Sequence, residues 1–154
     1  MNDEVDLQSV LQSLAEQGGG LIEIYAFDTG EDEWRSVVEW LNGSGLILSV
    51  DADDGDSRVP QVVPDIFAVD GDVRTTMFCK VGRQRWWTSF YSPDCVDFQG
   101  DPEQVENISD VMDLIDFMKG ISRSARRSTV LVAETTRPER TNPYIRVHAA
   151  CEGE

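Results

Sequence analysis

Few side chains in this 154-residue sequence have the types and spacing that catalysis or metal binding requires. The chain has one histidine, His148, and three cysteines, Cys79, Cys95 and Cys151, which are widely spaced and form no CxxC motif. Zinc sites need clustered Cys and His ligands, and hydrolase triads need a base beside a nucleophile. The sequence also lacks the GxSxG, GxGxxG and P-loop patterns. We therefore predict a protein that is not an enzyme and that has no catalytic residues, metal or cofactor.

The acid-rich segment Asp51–Asp56 has the composition of a calcium-binding loop but not its spacing. An EF-hand loop carries glycine at position 6, with oxygen ligands at positions 1 and 12. Placing Gly55 at position 6 puts Val50 at position 1 and Gln61 at position 12, so neither end supplies a carboxylate. We predict an acidic surface loop instead, and its candidate partner-binding residues are Asp51, Asp53, Asp54 and Asp56.

The negative charge of the chain is large and unevenly distributed. The net charge is −16, and residues 1–56 carry −13 of it, with fourteen Asp and Glu against the single Arg35. A protein with this much negative charge repels nucleic acid and anionic membranes and attracts basic surfaces. We therefore predict a basic protein partner and no binding to nucleic acid or membranes. The alternative is adaptation to salt, because seventeen Asp and twelve Glu against only two Lys is a composition similar to that of halophilic proteins.

The segment Thr75–Tyr91 is typical of a β-hairpin. Gly82-Arg83 separates two strand-like runs, and glycine at the first central position favours a two-residue type II′ turn. The resulting register gives a mostly apolar face that pairs Val81 with Gln84, Cys79 with Trp86, Met77 with Thr88 and Thr75 with Phe90. The other face pairs Lys80 with Arg85, Phe78 with Trp87, Thr76 with Ser89 and Arg74 with Tyr91.

This second hairpin face combines aromatic rings with arginine, and these residue types are enriched in binding hot spots. We predict a partner-contact site there, formed by Arg74, Phe78, Trp87 and Tyr91. The alternative is that the third predicted helix covers this face.

Apolar residues at helical spacing predict three helices, at Asp3–Glu16, Glu31–Leu41 and Ile108–Ser122. Trp40 lies off the apolar stripe of the second helix, which indicates an exposed or edge position. The third helix is the most apolar, and it is predicted to pack across the sheet. Its solvent side is predicted to carry Asp110, Asp113 and Asp116, as a docking stripe for a basic partner or simply as a solvated face.

The predicted strands outside the hairpin are Leu21–Phe27, Gly45–Val50, Asp65–Val69, Cys95–Phe98, Thr129–Glu134 and Tyr144–Ala149. Together they predict an α+β fold, with a mainly antiparallel sheet of about six to eight strands under a single layer of two to three helices. The length favours one domain, spanning residues 1–154.

In size, acidity, element order and lack of catalytic groups, the chain resembles the immunity proteins of bacterial toxin systems. No motif contributes to this resemblance, so it assigns no residue roles. It implies a non-enzymatic inhibitor that binds a basic toxin domain; acidic secretion chaperones share the profile and are the alternative. The acidic N-terminus lacks a signal-peptide pattern, which predicts a cytoplasmic protein. The sequence is compatible with either a monomer or a homodimer.

Overall fold

The computed structural model of the protein describes residues 6–17, 19–52, 75–135 and 137–149, and it covers only the backbone of residues 51, 52 and 75. The strands are β1 (Ile22–Phe27), β2 (Ile47–Ala52), β3 (Thr75–Val81), β4 (Gln84–Thr88), β5 (Cys95–Gly100), β6 (Thr129–Ala133) and β7 (Ile145–Val147). They form one antiparallel sheet in the order β2-β3-β4-β5-β1-β6-β7. The predicted α+β fold with a mainly antiparallel sheet is confirmed. The strand predicted at Asp65–Val69 lies outside the described residues.

In the described ranges, three α-helices form a single layer on one face of this sheet: α1 (Leu7–Glu16), α2 (Glu31–Gly43) and α3 (Ile108–Ala125). Short 3-10 helices occur at Pro102–Gln104 and Pro138–Arg140. α3 is the central helix, because it contacts α1, α2 and the strands β1, β3, β6 and β7. Its apolar stripe is buried, as the periodicity predicts. No helix in the described ranges is long and apolar enough to cross a membrane.

The hairpin of β3 and β4 forms in the predicted register. The ladder pairs Val81 with Gln84, Lys80 with Arg85, Cys79 with Trp86, Phe78 with Trp87 and Met77 with Thr88. Gly82 has a φ of 61°, which fits the positive φ that a type II′ turn needs at its first central position. The pairing stops at Thr88, and Phe90 turns the chain with a φ of 54°. The predicted pairing of Thr75 with Phe90 is therefore wrong, and Arg74 lies outside the described residues.

The two faces of the hairpin have different environments. Cys79 and Trp86 are buried on the helix side, where the Trp86 ring lies 6.2 Å from that of Phe117 in α3. Because side chains alternate across a strand, Phe78 and Trp87 point to the opposite face of the sheet. This arrangement excludes the alternative that the third helix covers Phe78 and Trp87. We call this opposite side of the sheet the open face, because none of the three α-helices packs on it.

Candidate functional site

The predicted aromatic site on the open face is partly assembled. The rings of Phe78 and Trp87 lie 6.5 Å apart, and both side chains are half-buried. The guanidinium carbon of Arg85 lies 4.1 Å from the centre of the Phe78 ring, a cation–π contact that the predicted site did not include. The register that pairs Lys80 with Arg85 already places this arginine on the same face. Tyr91 lies beyond the end of β4 and is 57% exposed.

The candidate aspartates fall into three groups. Asp53, Asp54 and Asp56 lie outside the described residues, as does the side chain of Asp51. Asp110 is only 2% exposed, so the prediction that it lines the solvent side of its helix is wrong. Asp113 is half-buried and Asp116 is exposed, and these two remain available at the surface.

Asp110 is buried because the hairpin turn reaches the start of α3. Arg83 donates from Nη2 to Asp110 Oδ2 at 2.6 Å, and the backbone N–H of Glu106 donates to the same oxygen at 2.9 Å. The hydrogen bond from Arg83 lowers the pKa of the Asp110 carboxyl. The Asp110 carboxylate therefore links the hairpin to α3, and Arg83 already neutralises its charge within the molecule.

Asp113 and Asp116 border a groove between the hairpin turn, α2 and α3, which we call the Trp40 groove. It has a volume of about 210 Å³ and is lined by Trp40, Leu46, Val81, Gly82, Asp113, Asp116 and Phe117. Val81 and Phe117 are buried, whereas Trp40 and Leu46 are half-buried. The groove therefore combines an apolar floor and an aromatic wall with a carboxylate rim.

Close packing against two glycines fixes the sides of the groove. A Cβ atom added at Gly120 of α3 would overlap the indole ring of Trp40, so the ring lies directly on the helix backbone there. The Trp40 ring is also 6.0 Å from that of Phe117. A Cβ atom added at Gly82 would collide with the Asp113 carboxylate, so that carboxylate lies against the hairpin turn.

The two rim carboxylates have no cationic partner in the described part of the chain. The ion pairs found there join Arg35 to Asp32 and Arg83 to Glu106 and Asp110. No side-chain hydrogen bond of the described residues involves Asp113 or Asp116 either. Within the described residues, both carboxylates therefore line the groove beside the Trp40 ring without a cation to pair with them.

A second acidic groove lies between α1 and the segment that contains the 3-10 helix Pro102–Gln104. It has a volume of about 910 Å³, and Asp101, Glu103 and Glu106 line it together with apolar residues such as Leu11 and Val105. Glu106 also approaches Arg83 of the turn, at 3.8 Å. Arg83 of the hairpin turn therefore pairs with one carboxylate of this groove.

A buried pair of carboxyl groups, which the sequence did not indicate, lies on the open face. Glu23 of β1 and Asp97 of β5 are both 5% exposed on neighbouring strands. Gln99 donates to Glu23 at 3.3 Å, whereas Asp97 Oδ1 is buried without a hydrogen-bond partner. Burial, and then the charge of Glu23, raise the pKa of Asp97 to about 7. Burial likewise raises the pKa of the adjacent Tyr25 hydroxyl.

No protein-family model, curated protein or solved structure matches this chain. Within the described ranges, no three Cys, His, Asp or Glu residues come together in a way that would hold a metal ion. The arrangement best suited to recognition is the Trp40 groove, because aromatic faces and carboxylates both attract cations.

Proposed function

We propose that the protein is a non-enzymatic binding protein that recognises a basic protein partner, with a lysine or arginine side chain of that partner in the Trp40 groove. One observation carries this proposal: two carboxylates, Asp113 and Asp116, line the same groove as the half-buried Trp40 ring, and no cation of the described residues pairs with them. A cation in the groove would therefore lie among side chains of both kinds that attract it.

The size of the groove supports a single side chain as its occupant. Its volume of about 210 Å³ is below the roughly 300–1,000 Å³ of typical small-molecule sites. A cation–π contact contributes about 0.5–2 kcal/mol, depending on how far the cation is desolvated. Each exposed ion pair contributes about 0.2–1 kcal/mol. The groove is thus one anchor within a larger acidic contact surface, and it does not account for the whole affinity.

The charge of the whole chain supports the same partner class. A net charge of −16 accelerates encounter with a basic surface and disfavours acidic competitors. Neutralisation of a basic toxin domain, as in immunity proteins, is the biological role that we propose for this binding. It requires only a stoichiometric complex and no chemistry from this chain.

The larger acidic groove favours a second candidate, an acidic chaperone of a secreted protein. Its volume of about 910 Å³ and its mixed apolar and acidic lining suit an extended basic segment better than one side chain. The two candidates differ in the state of the partner, because an inhibitor binds a folded domain and a chaperone binds an unfolded or partly folded segment.

The Trp40 groove is tested by titrating the ¹⁵N-labelled protein with a short peptide that contains one arginine. The same peptide with citrulline, which keeps the shape of the side chain but not its charge, is the matched ligand control. We expect the arginine peptide to shift the Trp40 indole N–H and the backbone amides of Gly82 and Asp113. The citrulline peptide should cause much smaller shifts.

A double variant distinguishes contacts made inside the groove from the effect of the protein's overall negative charge. Asp113→Asn with Asp116→Asn should weaken binding of the arginine peptide about 5- to 10-fold, because two ion pairs are lost. Asp94→Asn with Glu139→Gln removes the same charge from two exposed positions outside the grooves and should change the affinity less than about twofold. Equal losses in the two double variants would reject the groove as a specific site.

A further inference from the structure

A third groove, between α1, α3 and β7, has the opposite charge from the first two. It has a volume of about 570 Å³, with Leu7, Ile115 and Val147 among its apolar lining residues. Its charged lining consists of three cations, Lys119, Arg123 and Arg146, and one carboxylate, Asp116, which it shares with the Trp40 groove. The chain has only thirteen Lys and Arg against twenty-nine Asp and Glu, so three cations around one groove are a marked local concentration.

The fold accounts for only part of this concentration of positive charge. Lys119, Arg123 and Arg146 are exposed, and none of the ion pairs among the described residues involves them. Arg123 lies in the last turn of α3, where the helix dipole favours a cation. That effect does not extend to Lys119, one turn earlier, or to Arg146, which lies on a strand.

The groove also exposes apolar surface beside these cations. Met112 of α3, which lines it, is 53% exposed, and the half-buried Leu7 and Val147 lie across the groove from the helix. A bound apolar group would remove this surface from water, which stabilises a complex. Lys119 and Arg123 are four residues apart and therefore share one side of α3.

We propose that this groove binds a small amphipathic anion, with its apolar body on Leu7, Ile115 and Val147 and its carboxylate between Lys119 and Arg123. Charge complementarity selects this occupant, because the rest of the acidic surface repels anions and only this groove offers several cations with apolar walls in the described part of the chain. The volume is within the roughly 300–1,000 Å³ typical of small-molecule sites.

Octanoate is the probe for this proposal, with octanol as the uncharged analogue and acetate as the anion without an apolar body. Titration of the ¹⁵N-labelled full chain should give saturable shifts in the backbone amides of Ile115, Lys119 and Val147. Octanol and acetate should bind at least about tenfold more weakly, because each lacks one of the two recognised features.

Lys119→Gln with Arg123→Gln should weaken octanoate binding at least about tenfold, since charged hydrogen bonds to the carboxylate are lost. Arg137→Gln with Arg140→Gln changes the net charge equally at exposed positions away from the groove and should leave the affinity within about twofold. Each double variant is first checked for an unchanged amide spectrum outside the substituted residues.

Three results would overturn the proposal. These are the absence of saturable octanoate shifts, equal binding of octanol and octanoate, and equal effects of the two double variants. Binding seen only in a chain that ends at Ala149 would also overturn it, and would assign the groove to the acidic C-terminal segment of the chain itself. The experiment uses no cationic ligand, so its failure is distinguishable from failure of the proposed recognition of a basic partner.

Discussion

The indole ring of Trp40 in α2 lies directly on Gly120 in α3, with no room for a methyl group between them. This contact holds the aromatic wall of the Trp40 groove in place. Alanine normally stabilises a helix interior by about 0.5–1 kcal/mol relative to glycine. At position 120 that gain is opposed by the displacement of the Trp40 ring.

We predict that Gly120→Ala lowers the free energy of unfolding by about 1–3 kcal/mol, as expected for overpacking, and weakens binding of the arginine peptide. The control is Gly43→Ala in α2, where an added Cβ has open space around it. Gly43→Ala should be neutral or slightly stabilising. Urea unfolding of both variants measures the difference, and a stabilisation of similar size in both would show that Trp40 is not held by this contact.

The Glu23–Asp97 pair makes stability depend on pH near neutrality. The pKa of Asp97 is raised to about 7 in the folded protein, so the folded state keeps a proton that the unfolded state releases above about pH 4. The stabilising contribution is therefore complete below about pH 4 and is lost as the pH rises towards 7. Its size is on the order of 4 kcal/mol.

Asp97→Asn removes this titration, so the variant should gain stability relative to the parent protein as the pH rises from about 4 to 8. Asp94→Asn, an exposed aspartate on the same connection before β5, is the control and should follow the parent protein. The measurement is the urea midpoint of all three proteins across this range. A constant difference between Asp97→Asn and the parent at every pH would mean that the Asp97 pKa is not raised.

The bond between Arg83 and Asp110 should contribute to stability through the buried carboxylate. Arg83→Ala removes the cation that pairs with the Asp110 carboxylate, and we expect the variant to be less stable than the parent protein at pH 7. Because the pKa of Asp110 is lowered in the folded state, this contribution is present above about pH 4 and is lost at lower pH. Thermal unfolding at pH 7 and pH 3 tests both the loss of stability and its dependence on pH.

Arg137→Ala removes an exposed arginine that lies outside these ion pairs and is the matched control for Arg83→Ala. A destabilisation by Arg83→Ala that persists undiminished at pH 3 would contradict the role of the Asp110 charge.

Local patterns in the sequence predicted much of the fold. Gly82 predicted the turn and therefore the burial of Cys79 and Trp86, because the strand register follows from the turn alone. Asp110 was assigned to solvent because periodicity along one helix cannot show that Arg83 reaches it from another element. The signal that was available was the position of Asp110 in the first turn of α3, where a carboxylate is favoured.

The candidate site was harder to predict because its contacts are long-range. The Glu23–Asp97 pair depends on β1 lying beside β5, a pairing of strands that are far apart in sequence. The Trp40 groove likewise depends on the packing of α2 on α3 at Gly120. Trp40 was placed at an edge by its position off the apolar stripe, but nothing in its local sequence indicated Asp113 and Asp116 as neighbours.

The salt dependence of folding distinguishes a functional acidic surface from adaptation to brine. If the acids serve binding, the melting temperature of the isolated protein should change little between about 0.05 and 3 M KCl. A brine-adapted protein should instead gain stability steeply as salt screens its charge of −16, since the Debye length falls from about 10 Å at 0.1 M to about 3 Å at 1 M. A protein that is unfolded below about 1 M KCl would contradict the binding function.

The most direct test of partner recognition is quantitative capture of a basic protein from the native proteome, followed by reconstitution from purified components. The proposed function predicts a one-to-one complex with a basic protein. Asp113→Asn with Asp116→Asn should weaken this complex at least about fivefold, whereas Asp94→Asn with Glu139→Gln should leave it unaffected. If the purified components form no complex, or if the two double variants bind equally well, recognition of a cationic partner through the Trp40 groove is contradicted.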